Sequence, residues 1–220
     1  MSSADEHLNQ HDESDHIVGV GPWPGPLPTD SHFDPDLLRD GDKRNVIDEY
    51  RYWKMDAIIA DLDSKRHSFH VAIENLEHDM NIGSIVRSAN AFMAKEVHII
   101  GKRRWNRRGA MVTDRYQHVT HHEDIETFAK WAKENRLEVI GIDNLPGSVP
   151  IETFDLPREC VLLFGQEGRG LSKEAGELVT SCLSIAQFGS TRSINAGAAA
   201  AIAMHAWIRH NVFNQSPESQ

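Results

Sequence analysis

No apolar run in the 220 residues approaches the roughly 20 needed to span a bilayer as a helix, so a membrane-embedded protein is not expected. The opening "MSSADEHLNQHDESDH" has neither a basic region nor an apolar stretch, and no secretory signal is expected from it. Cysteine is scarce. Cys160 and Cys182 lie at or in apolar runs without metal-ligand or redox spacing, which excludes a disulfide scaffold and reads both as small buried hydrophobes. No internal repeat is visible. These absences predict a cytoplasmic globular protein with one core and an appendage.

Basic charge is also short, but only locally. The net charge is −10, and residues 1–49 hold twelve acids against Arg39, Lys43 and Arg44, leaving the remaining chain near neutral. Within that remainder, "GKRRWNRRGAMVTDRYQHVTHH" (101–122) carries six Arg/Lys against Asp114, with Trp105 and Tyr116 interleaved. Cations attract phosphate and aromatic rings stack on unpaired bases, so the segment fits either an RNA-facing surface or a solvated loop. Thirteen histidines are scattered along the chain. His118, His121 and His122 cluster in sequence but lack a ligand pattern, and no metal is expected.

Residues 1–34, acidic and then proline-rich, read as a disordered tail, 35–66 as a helical extension, 67–213 as the main domain and 214–220 as a second tail. In the main domain the apolar runs 70–73, 96–100, 137–142, 160–164 and 182–186 read as strands. They alternate with helical stretches at 82–94, 123–135 and 193–211. Such alternation, with unbroken apolar strands, predicts an α/β fold with a mostly parallel sheet flanked by helices. Sites in such folds gather at the carboxyl ends of strands.

Three strand-to-helix loops carry the polar chemistry. In "NIGSIVRSANAF" (81–92), Asn81 is placed as an N-cap, and the apolar positions fall on one helical face. Arg87 falls on the other, with Gly83, Ser84, Asn90 and Ala91 as its helical neighbours and no acid to pair with. "FGQEGRGLS" (164–172) has its glycines in the wrong order for a dinucleotide fingerprint and lacks the Lys-Ser/Thr pair of a P-loop. "SIAQFGSTRSINAGAAAAIAMHAW" (184–207) opens with donors and continues as a Gly/Ala-rich helix suited to close backbone approach or a subunit interface.

Taken in order, these loops resemble the SpoU (TrmH-like) RNA ribose 2′-O-methyltransferases of the SPOUT superfamily, over roughly residues 67–212. The N-x-G-x-x-x-R pattern is met by Asn81, Gly83 and Arg87. F/L-G-x-E-x-x-G-L is met by Phe164, Gly165, Glu167, Gly170 and Leu171, and S-L/I-N-x-x-x-A-x-x-I by Ser193, Ile194, Asn195, Ala199 and Ile202. Two positions depart from the family pattern: His78-Asp79-Met80-Asn81 stands for D-P-x-N, and Ile185-Ala186-Gln187 for I-P-M.

The resemblance implies a C-terminal deep trefoil knot, a homodimer, and transfer of a methyl group from S-adenosylmethionine to a ribose 2′-hydroxyl of tRNA or rRNA. A catalytically silent knotted RNA-binding or assembly protein is the alternative. It implies that Asn144, Phe164, Gly165, Gly170, Ile185, Gln187 and Ile194 hold the cofactor. Arg87 is implied to act on the ribose, with Asn81, Glu167, Ser193 and Asn195 orienting it. Arg103, Arg104, Arg107, Arg108 and Arg115 are the expected RNA contacts.

Overall fold

The structure, a computed structural model, describes residues 19–75, 81–166, 168–191 and 193–214. His78, Asp79, Met80 and Glu167, used above, lie outside the described residues. The chain forms two compact units, one up to Ile58 and one from Ile59.

In the first unit, α1 (Pro35–Asp40) begins with proline, and Asp34 Oδ1 accepts from the amides of Asp36 and Leu37 at 2.9 and 3.3 Å. Part of the expected tail is ordered here: Val20 bridges to Asp42 and Phe33 to Trp53, and Trp23 packs edge-on against Tyr52 at 5.3 Å. The organising group is Asp42, fully buried, which accepts from Arg44 Nε at 2.9 Å, from Arg44 Nη2 at 2.7 Å, from the Arg44 amide at 3.0 Å and from the Tyr52 amide at 2.9 Å. Burial alone would raise its carboxyl pKa. The hydrogen bonds from Arg44 and the Tyr52 backbone outweigh burial and hold it at about 2. A second helix, α2 (Met55–Lys65), continues the chain beyond Ile58.

The second unit is built on β1 (His70–Asn75), β2 (Val97–Gly101), β3 (Val119–His122), β4 (Glu138–Ile142), β5 (Val149–Pro150), β6 (Cys160–Phe164) and β7 (Ser181–Ser184). They form one parallel sheet in the order β3-β2-β1-β6-β4-β7-β5. Successive side chains point to opposite faces, so Val71, Ile73, Leu162 and Phe164 pack in one core and Ala72, Val161 and Leu163 in the other. The first core is covered by α3 (Ile82–Ala91) and α6 (Ala196–Asn211), the second by α4 (Ile125–Glu134) and α5 (Lys173–Leu178). Burial on both faces is why the central strands read as unbroken apolar runs.

The second core contains an unforeseen feature. His70, His98 and His122 stand on one face of adjacent strands, with His70 Nδ1 3.0 Å from His98 Nε2 and His98 Nδ1 3.0 Å from His122 Nε2. Trp131 of α4 lies over His98 at 4.0 Å between ring centres. Burial, reinforced by Lys95, lowers the His70 pKa to about 4, and burial with the flanking rings lowers that of His98 to about 2. His122 is lowered mainly by burial. The sequence cluster His118/His121/His122 does not converge: His118 bonds Asp63, and His121 bonds the carbonyl of Gly101.

Candidate active site

A cleft of about 480 Å³ opens where β4 and β6 end, bounded by the loop after β7 and the first turn of α6. All seven residues that the resemblance assigns to the cofactor line it: Asn144 after β4, Phe164 and Gly165 at the end of β6, Gly170, and Ile185, Gln187 and Ile194 after β7. Ser193 and Asn195 line it as well.

The loop from Gly165 to Gly170 is closed on itself. Gln166 and Gly170 exchange both backbone hydrogen bonds, at 3.0 and 2.9 Å. A Cβ on Gly165 would stand 2.0 Å from the carbonyl carbon of Gly170, so no side chain fits there. Gly170 has φ +70°, and a Cβ on it would meet an Asp143 oxygen at 2.2 Å.

Three acids that sequence reasoning missed brace these loops. Asp143 Oδ2 accepts from the Leu171 amide at 2.8 Å, and buried Glu74 accepts from the Ser172 amide at 2.9 Å. Glu152 Oε1 accepts from the Ala186 amide at 3.0 Å. That last bond bears on the departure from I-P-M: proline has no N–H to give, whereas Ala186 has one and Glu152 ties it down. The available signal was positional, since Glu74 and Asp143 are acids that close otherwise apolar strand runs.

The first and third loops meet through an amide pair. Asn195 Nδ2 donates to Asn81 Oδ1 at 2.9 Å, while Asn195 Oδ1 caps α6 by accepting from Ala198 at 3.1 Å. The expected N-cap role of Asn81 is therefore corrected: it stands at the start of α3 without a side-chain capping bond, its oxygen engaged by Asn195. Likewise α6 starts at Ala196 rather than 193, because the capping residue lies outside the helix. A Cβ on Gly197 would lie 3.3 Å from Ser84 Cβ, so α3 and α6 touch at their first turns.

Arg87 lies one turn beyond Ser84 on α3. It is exposed, it does not line the cleft, and among the described residues no ion pair or hydrogen bond engages its guanidinium.

The basic segment is folded onto the same helix. A Cβ on Gly83 would come within 2.8 Å of backbone atoms of Asn106, Gly109 and Ala110. Buried Asn75, also missed from sequence, donates Nδ2 to the carbonyls of Lys102 and Arg104 and fixes where the segment leaves β2. Arg103, Arg104, Arg107, Arg108 and Arg115 are all exposed. Arg107 also lies 5.5 Å from the Trp105 ring centre and 3.4 Å from Asp114. No helix among the described residues is long and apolar enough to cross a membrane.

The model of the SpoU rRNA Methylase family matches residues 68–205. A protein of Mycolicibacterium vanbaalenii named as an uncharacterized tRNA/rRNA methyltransferase is 29% identical over 166 residues, 72% of this chain and 52% of its own length. The chain spans about half the length of the curated relatives it matches. Among solved structures, the SpoU methyltransferase AviRb from Streptomyces viridochromogenes, in complex with AdoMet, superposes with a TM-score of 0.61 at 25% identity, covering 67% of this chain and 59% of that one. The A. aeolicus TrmH/SpoU tRNA modifying enzyme shares the fold with a TM-score of 0.64 at 19% identity, covering 74% and 87% of the two chains.

Proposed function

The chain belongs to the SpoU rRNA Methylase family, and from that membership we propose that it moves a methyl group from S-adenosylmethionine to a ribose 2′-hydroxyl of tRNA or rRNA. The observation that carries the reading is the cleft. Its volume suits a nucleoside-sized ligand, with Ile142, Ile185 and Ile194 as apolar walls and Asn144 and Gln187 as polar ones. Gly165 and Gly170 leave no room for side chains within the turn that borders the cleft. The residues present fit S-adenosylmethionine, which supplies an electrophilic sulfonium methyl when bound.

The protein's own part is positioning and charge. A hydroxyl is a weak nucleophile until its proton is drawn away, and in-line approach removes much of the barrier. A guanidinium does not give up its proton in proteins, so Arg87 acts by gripping the neighbouring phosphate and stabilising the developing alkoxide. Among the described residues it has no acidic partner, which leaves it available for this. Asn81 and Asn195 join α3, which carries Arg87, to the wall of the cleft, where Ser193 adds a further polar group. The proton lost from the hydroxyl passes to solvent. The five exposed arginines on the segment after β2 supply phosphate attraction.

The same membership supports a knotted C-terminal segment and a homodimer. Support for the dimer comes from α6, which buries Ala200, Ala203, Met204 and Trp207 on one side while Ile202 on another stays 42% exposed. The reading is tested by calorimetry with S-adenosylmethionine together with transfer of labelled methyl to RNA. Binding with transfer supports it; no binding, or binding without transfer to any cellular RNA, opposes it.

A further inference from the structure

The histidine array lies outside the methyl-transfer cleft, toward the amino ends of β1 and β2 rather than the carboxyl ends of β4 and β6. Beside it stands Glu96, immediately before β2. We propose that His70, Glu96 and His98 form a binding site for one zinc-class divalent cation. The three side chains offer ligand atoms that all lie within 4.8 Å of one another. His70 Nδ1 and His98 Nε2 are 3.0 Å apart, and His98 Nε2 and Glu96 Oε2 are 3.8 Å apart. Two ligand atoms of a tetrahedral ion bonded at about 2.05 Å stand about 3.3 Å apart, between these two values. A cation would take the place of the proton that the two rings now share.

Two of the three ligands already have their outer atoms held, as metal ligands require. His98 Nδ1 lies 3.0 Å from His122 Nε2, so donation from His98 Nδ1 to His122 would hold the ring with Nε2 as the metal-binding nitrogen. Thr120 Oγ1 donates to Glu96 Oε1, leaving Oε2 turned toward His98. One carboxylate offsets part of the ion's charge. Two imidazoles and one carboxylate suit a borderline cation and leave a fourth position for water. Glu96 keeps 26% of its side chain exposed and supplies the way in from solvent. Bound there, the ion would tie the first residue of β1 to the entry of β2 and, through His122, to β3. Its role is to hold that edge of the sheet, not to take part in chemistry.

The test uses the full chain, stripped with chelator and titrated with Co²⁺ and with Zn²⁺. The expected result is one ion per chain, the visible absorption of four-coordinate Co²⁺, and a melting temperature that rises with Zn²⁺ concentration. Glu96→Gln, at a partly exposed position, keeps the fold and should weaken binding by at least about tenfold; His70→Gln should abolish the Co²⁺ absorption. His7, His11 and His16 lie among acids near the start of the sequence and are a competing source of affinity. Binding that persists when those three become alanine but fails in Glu96→Gln supports the site. Binding unchanged in Glu96→Gln, binding lost with the three early histidines, or no binding at all overturns it and leaves a hydrogen-bonded imidazole array.

Discussion

Gly165 is the residue with least tolerance. Alanine there would place a methyl 2.0 Å from the Gly170 carbonyl carbon, and backbone cannot yield that distance without opening the turn. Gly165→Ala is expected to cost about 1–3 kcal/mol of stability and to reduce S-adenosylmethionine affinity at least tenfold, measured by thermal melting and calorimetry. Retained affinity would remove the turn from the donor site. Asp143 and Glu152 were not legible in advance as supports of this site, because each acts through a backbone amide that a linear pattern does not bring near. Asn81 was legible as a motif residue but misread in role: a cap is a local guess, and its true partner, Asn195, is 114 positions away.

At the scale of elements, the strands with apolar runs were readable because burial on both faces leaves only one kind of side chain. β3 was not, since "VTHH" is half-buried at the sheet edge and its histidines hide the apolar pattern. Nor was β5, two exposed residues ending in Pro150, which only an edge accommodates. The six-residue α5 carries Gly176 and too few positions to show a period. The strand order, with β6 between β1 and β4, comes from long-range pairing that no window of sequence contains. The segment between β2 and β3 was readable in charge but not in placement; its packing on α3 depends on Gly83 meeting Gly109. Replacing Arg103, Arg104, Arg107 and Arg108 with glutamine should weaken RNA binding and lower the slope of log affinity against log salt by about 3–4, with S-adenosylmethionine affinity unchanged. An unaltered slope would make the segment a solvated loop.

For the molecule as a whole, the unit before residue 59 has its own pH limit. Asp42 has a folded pKa of about 2, below its ordinary value, so its contribution is complete above about pH 4 and disappears as pH falls through 2. The difference corresponds to about 2 kcal/mol. Asp42→Asn should destabilise this unit at neutral pH and flatten its acid dependence between about pH 4 and 2, followed by tryptophan fluorescence. A variant with the wild-type acid profile would show that the Arg44 and Tyr52 contacts do not hold the unit together. Family membership was readable from three short loops, while the histidine array was not, because its members come from three strands brought side by side only by folding.

The most direct test of the proposed chemistry is mass analysis of nucleosides from RNA incubated with the protein and S-adenosylmethionine. Wild type should yield a 2′-O-methylated nucleoside, and Arg87→Ala should bind the donor normally yet yield none. A methyl group found on a base, or equal product from Arg87→Ala, would contradict the account.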